Sequence, residues 1–295
     1  MKLSKERIKK IAKAALEEDI GRGDVTSNVT VPKAANMKAD ITFNEKGVIC
    51  GLPIVETAFS LLNTNIRFVP YAKDGDEVEA TKVVALLEGP ARSIMAGERT
   101  ALNFLGHLSG VATMTSQFIK AIEGTEAKIV DTRKTIPLMR YLQKYAVTCG
   151  GGTNHRMGLW DQVLIKDNHI AVAGKKRKDA IKDLVNKARR SAQKNVKIEV
   201  EVANLDEFKA ALEVCPDIIM LDNMSVEDVK EAVKARNVKA PCDKDNLFSG
   251  VMLEVSGGVT LENVRSYAEC GVDWISIGRL THSARALDLS LEVVL

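Results

Sequence analysis

Six apolar runs in the second half of the chain end in, or lead into, residues able to do chemistry. Lys128–Asp131 runs into Thr132-Arg133-Lys134-Thr135, and Gln162–Lys166 runs into Asp167-Asn168-His169. Val196–Val202 carries Glu199 and Glu201, which leave a strand on the same side because strand side chains alternate. Ile218–Asp222 ends at Asp222-Asn223, Met252–Ser256 at Ser256-Gly257-Gly258, and Asp273–Gly278 at Ile277-Gly278-Arg279. Arginine grips carboxylates and phosphates through paired hydrogen bonds, and lysine acts as a point charge. Arg133, Lys134, Arg156 and Lys166 therefore favour a multiply anionic ligand. Glu201 and Asp222 end consecutive strands and face one pocket. Carboxylates among cations hold sugar hydroxyls, coordinate Mg2+ or stabilise developing positive charge. They also suit plain charge balance with neighbouring Lys and Arg.

Ser256-Gly257-Gly258-Val259-Thr260 leads into a helix. Two glycines let backbone N–H groups approach a ligand, and the helix start adds partial positive charge. Alone, the segment suits a tight turn or a phosphate equally. Gly278 in the next unit favours phosphate, because the last two strand-to-helix loops of a barrel are a recurrent phosphate site. His155, His169 and His282 have polar neighbours but no metal-ligand spacing. Gly150-Gly151-Gly152-Thr153-Asn154 lacks the Gly-Lys-Ser/Thr ending of a P-loop and follows a helix. Lys175–Lys178 reads as a solvated charge run, and Arg99, on a separate helix, as a helix-face ion pair.

The elements that must position these groups alternate. Helical patterns at Pro137–Val147, Asp179–Gln193, Leu205–Val214, Val226–Arg236 and Leu261–Cys270 follow most of the six strands. Repeated strand–helix units imply parallel strands joined by crossovers, and the polar strand ends favour a barrel over an open sheet. Before them, an amphipathic helix at residues 4–18 stops near Gly21, and Asp24–Ser27 reads as a loop. Strand patterns between residues 37 and 90, with a helix at Pro53–Leu62, predict a small α/β or sandwich-like domain. Ala91–Glu123 is helical, and Gly106 and Gly110 predict a break or a close helix contact. Val238–Gly250 is an irregular insert.

The 295 residues are 45% hydrophobic and 27% charged, an ordinary globular composition that excludes disorder and low complexity. A net charge of +3 is too small to argue for nucleic acid. The longest apolar run, Val83–Leu87, is far short of a membrane span, and no secretory signal is visible. None of the five cysteines forms a CxxC pair. These features predict a soluble, reduced, cytoplasmic α/β protein.

The ordered motifs Asp131–Thr135, Gly150–Arg156, Leu164–His169, Glu199–Val202, Leu221–Asn223 and Glu254–Gly258 resemble the quinolinate phosphoribosyltransferase family. Glu17–Asp24 and Glu98–Asn103 extend the likeness, which spans about residues 7 to 290. The resemblance implies an N-terminal α/β sandwich domain (1–112, joined by 283–295) and an incomplete (β/α) barrel of parallel strands (113–282). It implies at least a homodimer, alone or within a hexamer, in which each N-terminal domain covers the partner's barrel and Arg99 reaches the neighbouring site. The implied reaction joins quinolinate to 5-phosphoribosyl 1-diphosphate, with Mg2+, giving nicotinate mononucleotide, diphosphate and CO2 in NAD synthesis. Arg133, His155, Arg156, Lys166 and the partner's Arg99 would hold the quinolinate carboxylates, with Thr132 beside them. Lys134, Lys166 and His282 would sit near the diphosphate, and Glu201 and Asp222 would bind ribose hydroxyls and Mg2+. Ser256, Gly257, Gly258 and Gly278, flanked by Ile277 and Arg279, would hold the 5-phosphate. Two features depart from the family pattern: the length of the Val238–Gly250 insert, and Arg279 where smaller or uncharged residues are common. A nicotinate-specific relative would share the phosphate site, but Arg99, Arg133, Arg156 and Lys166 suit two carboxylates better than one. A non-catalytic sensor would need no Lys134, Glu201 or Asp222, and a Schiff-base aldolase would need a lysine in an apolar pocket.

Overall fold

The computed structural model describes residues 1–238 and 250–294, so the interior of the Val238–Gly250 insert lies outside the described residues. Contacts divide the chain into two compact units. The first is Met1–Ser116 with Ile136–Gly151 and Leu280–Leu295, and the second is Gln117–Thr135 with Gly152–Arg279. Beyond the boundary expected at residue 112, this grouping brings 136–151 to the first unit.

The chain opens with α1 (Lys5–Ile20), α2 (Val25–Thr30), β1 (Asn36–Phe43), β2 (Gly47–Val48), α3 (Leu52–Leu62), β3 (Arg67–Pro70), β4 (Glu77–Val78), β5 (Lys82–Pro90) and α4 (Ala91–Ala121). It continues with β6 (Lys128–Val130), α5 (Arg140–Cys149), β7 (Val163–Ile165), α6 (Asp167–Val172), α7 (Arg177–Ser191), β8 (Ile198–Val202), α8 (Leu205–Glu213) and β9 (Ile218–Asp222). It closes with α9 (Val226–Val238), β10 (Met252–Ser256), α10 (Val264–Ala268), β11 (Trp274–Ser276), α11 (Arg279–His282) and β12 (Leu289–Val294).

In the first unit, an antiparallel sheet runs in the order β12-β1-β5-β3. Ala39, Ile41 and Phe43 alternate along β1 with no exposure, and Ile41 and Phe43 join a core with Val84, Leu87, Ile94 and Leu105. Burying each large member contributes roughly 1.5–3 kcal/mol. The Ser4 side chain caps α1, which buries Ile8, Ala12 and Leu16 at a spacing of four. Two expectations fail here. Asp24–Ser27 is not a loop: the Asp24 carboxylate accepts the Ser27 N–H at 3.0 Å and starts α2. Gly106 and Gly110 do not break α4. They admit the returning chain end, because a Cβ on Gly106 would lie 2.8 Å from the Leu287 carbonyl and one on Gly110 would collide with the Arg285 carbonyl. The Leu287 N–H donates to the Gly106 carbonyl at 3.0 Å.

In the second unit, six parallel strands lie in the order β6-β11-β10-β9-β8-β7. Each strand from β7 onward pairs with the next along the barrel, and β11 pairs with β6. That is the connectivity of a barrel with one seam open, between β6 and β7. A single parallel bridge, Val130 to Thr153, lies at β6 beside the seam. β9 and β10 coincide with their apolar runs, and β6, β7, β8 and β11 are somewhat shorter than theirs. Among the described residues, no helix is long and apolar enough to cross a membrane.

Candidate active site

The parallel register sets the polar strand ends at one level. Val130 is opposite Ser276, Ser276 opposite Ser256, and Ser256 opposite Asp222. Ile165 is opposite Val200, which brings Lys166 beside Glu201. The Lys166 ammonium lies 2.6 Å from Glu201 Oε2, and both groups keep some solvent contact. Lys166 is also the N-cap of α6, and its backbone N–H donates to His169 Nδ1 at 2.9 Å. His169 thus finishes a helix start.

Asp222 and Asn223 shape the neighbouring sector. Asn223 has φ +53°, and its backbone N–H donates to the Ser256 carbonyl at 2.8 Å. Its side-chain amide donates to Asp222 Oδ2 at 2.9 Å. A Cβ on Gly257, where φ is +89°, would collide with the Asn223 side chain. Gly258 also has positive φ, and its carbonyl accepts from the side-chain amide of Asn263 at 3.0 Å. Asn263 Oδ1 accepts the Thr260 N–H at 2.8 Å. The glycine loop is therefore held from both sides while its backbone stays open. Arg279 is exposed at the start of α11. Hydrogen bonds from Thr260 and its own backbone hold Glu262 below the usual carboxylate range, with a smaller contribution from Arg279. The Arg279 charge thus acts on the turn that follows the glycines.

Asp131 organises the seam. It is fully buried; Oδ1 accepts the His155 N–H at 2.9 Å and Oδ2 the Asn154 amide at 2.6 Å. These bonds hold residues 153–155 against the end of β6. Thr132 Oγ1 accepts the Lys134 N–H at 3.0 Å, turning the chain at the rim. Lys134 is exposed and Arg133 half-buried. Arg156 Nη1 donates to the Gln162 carbonyl at 3.2 Å. Burial and the nearby Arg133 charge lower the proton affinity of Arg156 below the usual arginine value, with Glu199 and Asp161 opposing. A dianion bound beside Arg156 would relieve that cost.

Below the rim lies a buried polar layer. His155 Nε2 is 3.2 Å from Glu199 on β8 and 3.2 Å from Glu254 on β10. Both carboxylates are fully buried. The Gln162 amide makes a short hydrogen bond to Glu199. The Arg156 N–H lies 2.8 Å from His155 Nδ1, and the ring meets Trp274 edge-on at 5.6 Å. Burial, then repulsion from Glu254, push Glu199 up to about 7. Burial works against a second proton on His155, while Glu199 and Glu254 favour one, and the Arg156 N–H already occupies Nδ1, where that proton would go. The Arg156 N–H opposes a proton at Nδ1, so the ring's first proton sits on Nε2 between the carboxylates.

Two donor clusters occur among the described residues, His155–Glu199–Glu254 here and Cys50–Asp74–Cys149 in the first unit. Asp74 already accepts the Gly51 and Leu52 N–H groups at 3.0 Å each and the Tyr145 hydroxyl at 2.9 Å. Of the sequence-predicted residues, Thr132, Arg133, Lys134, His155, Arg156, Lys166, Glu201, Asp222, Ser256, Gly257, Gly258, Ile277, Gly278 and Arg279 all belong to the second unit. Arg99, exposed on α4, and His282, exposed in α11, belong to the first. Sequence reasoning gave no role to Asp131, Gln162, Glu199 or Glu254. The available signal was a carboxylate inside an apolar strand, because a buried charge demands partners.

A family model described as quinolinate phosphoribosyl transferase, C-terminal domain, matches residues 111–292, and the corresponding N-terminal domain model matches 24–109. The chain is 42% identical over 287 residues to a probable nicotinate-nucleotide pyrophosphorylase (carboxylating) of Methanocaldococcus jannaschii, covering 97% of this chain and 96% of that one. It is 39% identical over 289 residues to the Bacillus subtilis protein of the same description, covering 98% and 94%. The solved nicotinate-nucleotide pyrophosphorylase of Francisella tularensis superposes with a TM-score of 0.87 at 37% identity, covering 99% and 98%.

Proposed function

The chain belongs to the quinolinate phosphoribosyltransferase family, and from that premise we propose how its barrel rim divides the work. The enzyme transfers the phosphoribosyl group of 5-phosphoribosyl 1-diphosphate to quinolinate with decarboxylation, giving nicotinate mononucleotide, diphosphate and CO2 in NAD biosynthesis. Quinolinate brings two carboxylates, and Arg133 and Arg156 meet them, with Lys166 and Arg99 of the partner subunit. What supports this assignment is the placement of Arg133 and Arg156 in the segments that follow β6 and lead into β7, where burial and then the Arg133 charge disfavour the positive charge of Arg156, a cost that an incoming dianion offsets.

The ribose donor lies across the carboxylate sector. Ser256, Gly257, Gly258 and Gly278 hold its 5-phosphate by backbone N–H groups, flanked by Ile277 and Arg279. Glu201 and Asp222 accept the ribose hydroxyls. As the bond to diphosphate lengthens, positive charge builds on the ribose, and these two carboxylates stabilise it. Lys134, Lys166 and His282 face the departing diphosphate, with Thr132 fixing the Lys134 turn. Lys166 can serve both substrates because it is paired only at the half-open rim, with Glu201. Glu201 and Asp222 are hard oxygen donors with solvent access, which fits a magnesium ion that keeps its waters. When bound, that ion neutralises charge on the leaving diphosphate.

The pyridine nitrogen attacks the anomeric carbon and becomes cationic. The bond from the ring to the 2-carboxylate then breaks, its electron pair stays on the ring, CO2 departs and a proton takes its place. Positioned charge suffices for these steps, so no nucleophile–base triad is required.

The working unit in this proposal is a cytoplasmic homodimer, alone or within a hexamer, with each site shared across the dimer. Mixing Arg99→Ala subunits with Lys166→Ala subunits tests it. Recovered activity is expected, because a hybrid dimer has one intact site. No recovery, despite demonstrated subunit exchange, overturns the shared site.

A further inference from the structure

We propose that the buried Glu199–His155–Glu254 layer positions Arg156, and that His155 serves the reaction through Arg156 rather than by touching quinolinate. This rests on the assignment of Arg156 to a substrate carboxylate. Both ring nitrogens of His155 face protein groups. Nε2 lies between two carboxylates at 3.2 Å each, and Nδ1 accepts the Arg156 N–H at 2.8 Å. The residue is 8% exposed, and both carboxylates have no exposure. A ring nitrogen could reach a substrate only by leaving one of these groups, and a buried carboxylate would then lose its nearest cationic partner, which is costly.

The same layer reaches Arg156 by a second route. Gln162 links Glu199, through its side-chain amide, to Arg156 Nη1, through its carbonyl. Backbone and guanidinium of one arginine are thus tied to one buried cluster. Its walls come from different strands, β8 and β10, so the barrel frame sets the position. Trp274 on β11 packs edge-on against the imidazole at 5.6 Å. A bidentate carboxylate grip tolerates little displacement, so a device of this kind has value at Arg156.

A metal ion is the rival occupant, since these three donors could hold one. A metal on Nε2 would move the ring proton to Nδ1, where the Arg156 N–H already points. The geometry therefore favours a proton between the carboxylates.

The test compares Glu254→Leu with Glu254→Gln, since only glutamine keeps an acceptor for the ring proton. Glu254→Leu is expected to raise the KM for quinolinate roughly tenfold, with the KM for 5-phosphoribosyl 1-diphosphate changed less than about twofold. Glu254→Gln is expected to restore most of the loss. In an Arg156→Lys background the Glu254→Leu penalty is expected to vanish, because the positioned fork is already gone. Penalties that simply add, or equal changes in both KM values, overturn the proposal. If Glu254→Leu does not fold, His155→Gln is carried through the same Arg156→Lys cycle, with the same two outcomes. Elemental analysis of the purified enzyme gives a separate check, and one equivalent of tightly held metal lost in Glu254→Gln also overturns it. Wild-type protein that binds no quinolinate would instead sink the Arg156 assignment itself.

Discussion

Glu199 and Glu201 leave β8 on the same side of the strand, two residues apart, yet they live in different environments. Glu199 has no exposure and faces His155, Gln162 and Glu254. Glu201 sits one layer higher and pairs with Lys166, whose side chain is 43% exposed. A buried partner set holds its members in place, whereas a half-open one can exchange a protein partner for a substrate. Depth along the barrel axis, rather than residue type, separates positioning from binding.

The largest expected effects are at the two arginines assigned to the substrate carboxylates. Arg133→Ala or Arg156→Ala is expected to cut kcat/KM by roughly 10³-fold or more while the circular dichroism spectrum stays unchanged. Near wild-type kcat/KM would remove the role assigned to either residue. Next comes the stability contrast between the two glutamates. Glu199→Ala leaves buried partners uncompensated and is expected to cost about 3–5 kcal/mol in chemical denaturation. Glu201→Ala is expected to cost less than about 1 kcal/mol while lowering kcat by roughly 10²-fold. Equal stability losses would erase the distinction between the layers.

A smaller effect is expected at the phosphate loop. Gly257→Ala places a side chain at φ +89° against Asn223 and is expected to cost about 1–3 kcal/mol. It should raise the KM for 5-phosphoribosyl 1-diphosphate and leave that for quinolinate unchanged, as steady-state kinetics would record.

The smallest effect lies in the first unit, where charge pairing is peripheral. The Arg285 hydrogen bond, then the Asp288 N–H, hold Glu45 at about 2, below its ordinary 4.5. Its stabilisation is complete above about pH 4.5 and is lost as pH falls through about 2. Because Arg285 is 70% exposed, less than about 1 kcal/mol is expected. Denaturation midpoints of wild type and Glu45→Gln should converge as pH falls across that interval. A constant gap would contradict the assigned cause.

What could be read from the sequence followed the length scale of each interaction. Period-two burial in β1 and the strand–helix alternation are local, and both appear in the structure. The six polar strand ends were legible because parallel register carries each to the same edge. The continuity of α4 was not, because Gly106 and Gly110 accommodate residues almost 180 positions away. The Glu199–His155–Glu254 layer stayed hidden for the same reason. Its members lie on β8, on β10 and in the segment that follows the glycine run, and only the parallel strand register brings them together. Asp24 illustrates a nearer miss, since a side-chain cap turns a loop-like tetrapeptide into a helix start.

The most direct measurement is product formation from purified protein with Mg2+, 5-phosphoribosyl 1-diphosphate and either quinolinate or nicotinate. Nicotinate mononucleotide from quinolinate alone, with an equal amount of CO2, is the predicted result. Product from nicotinate alone would contradict the dicarboxylate role of Arg133 and Arg156 and, with it, the central claim.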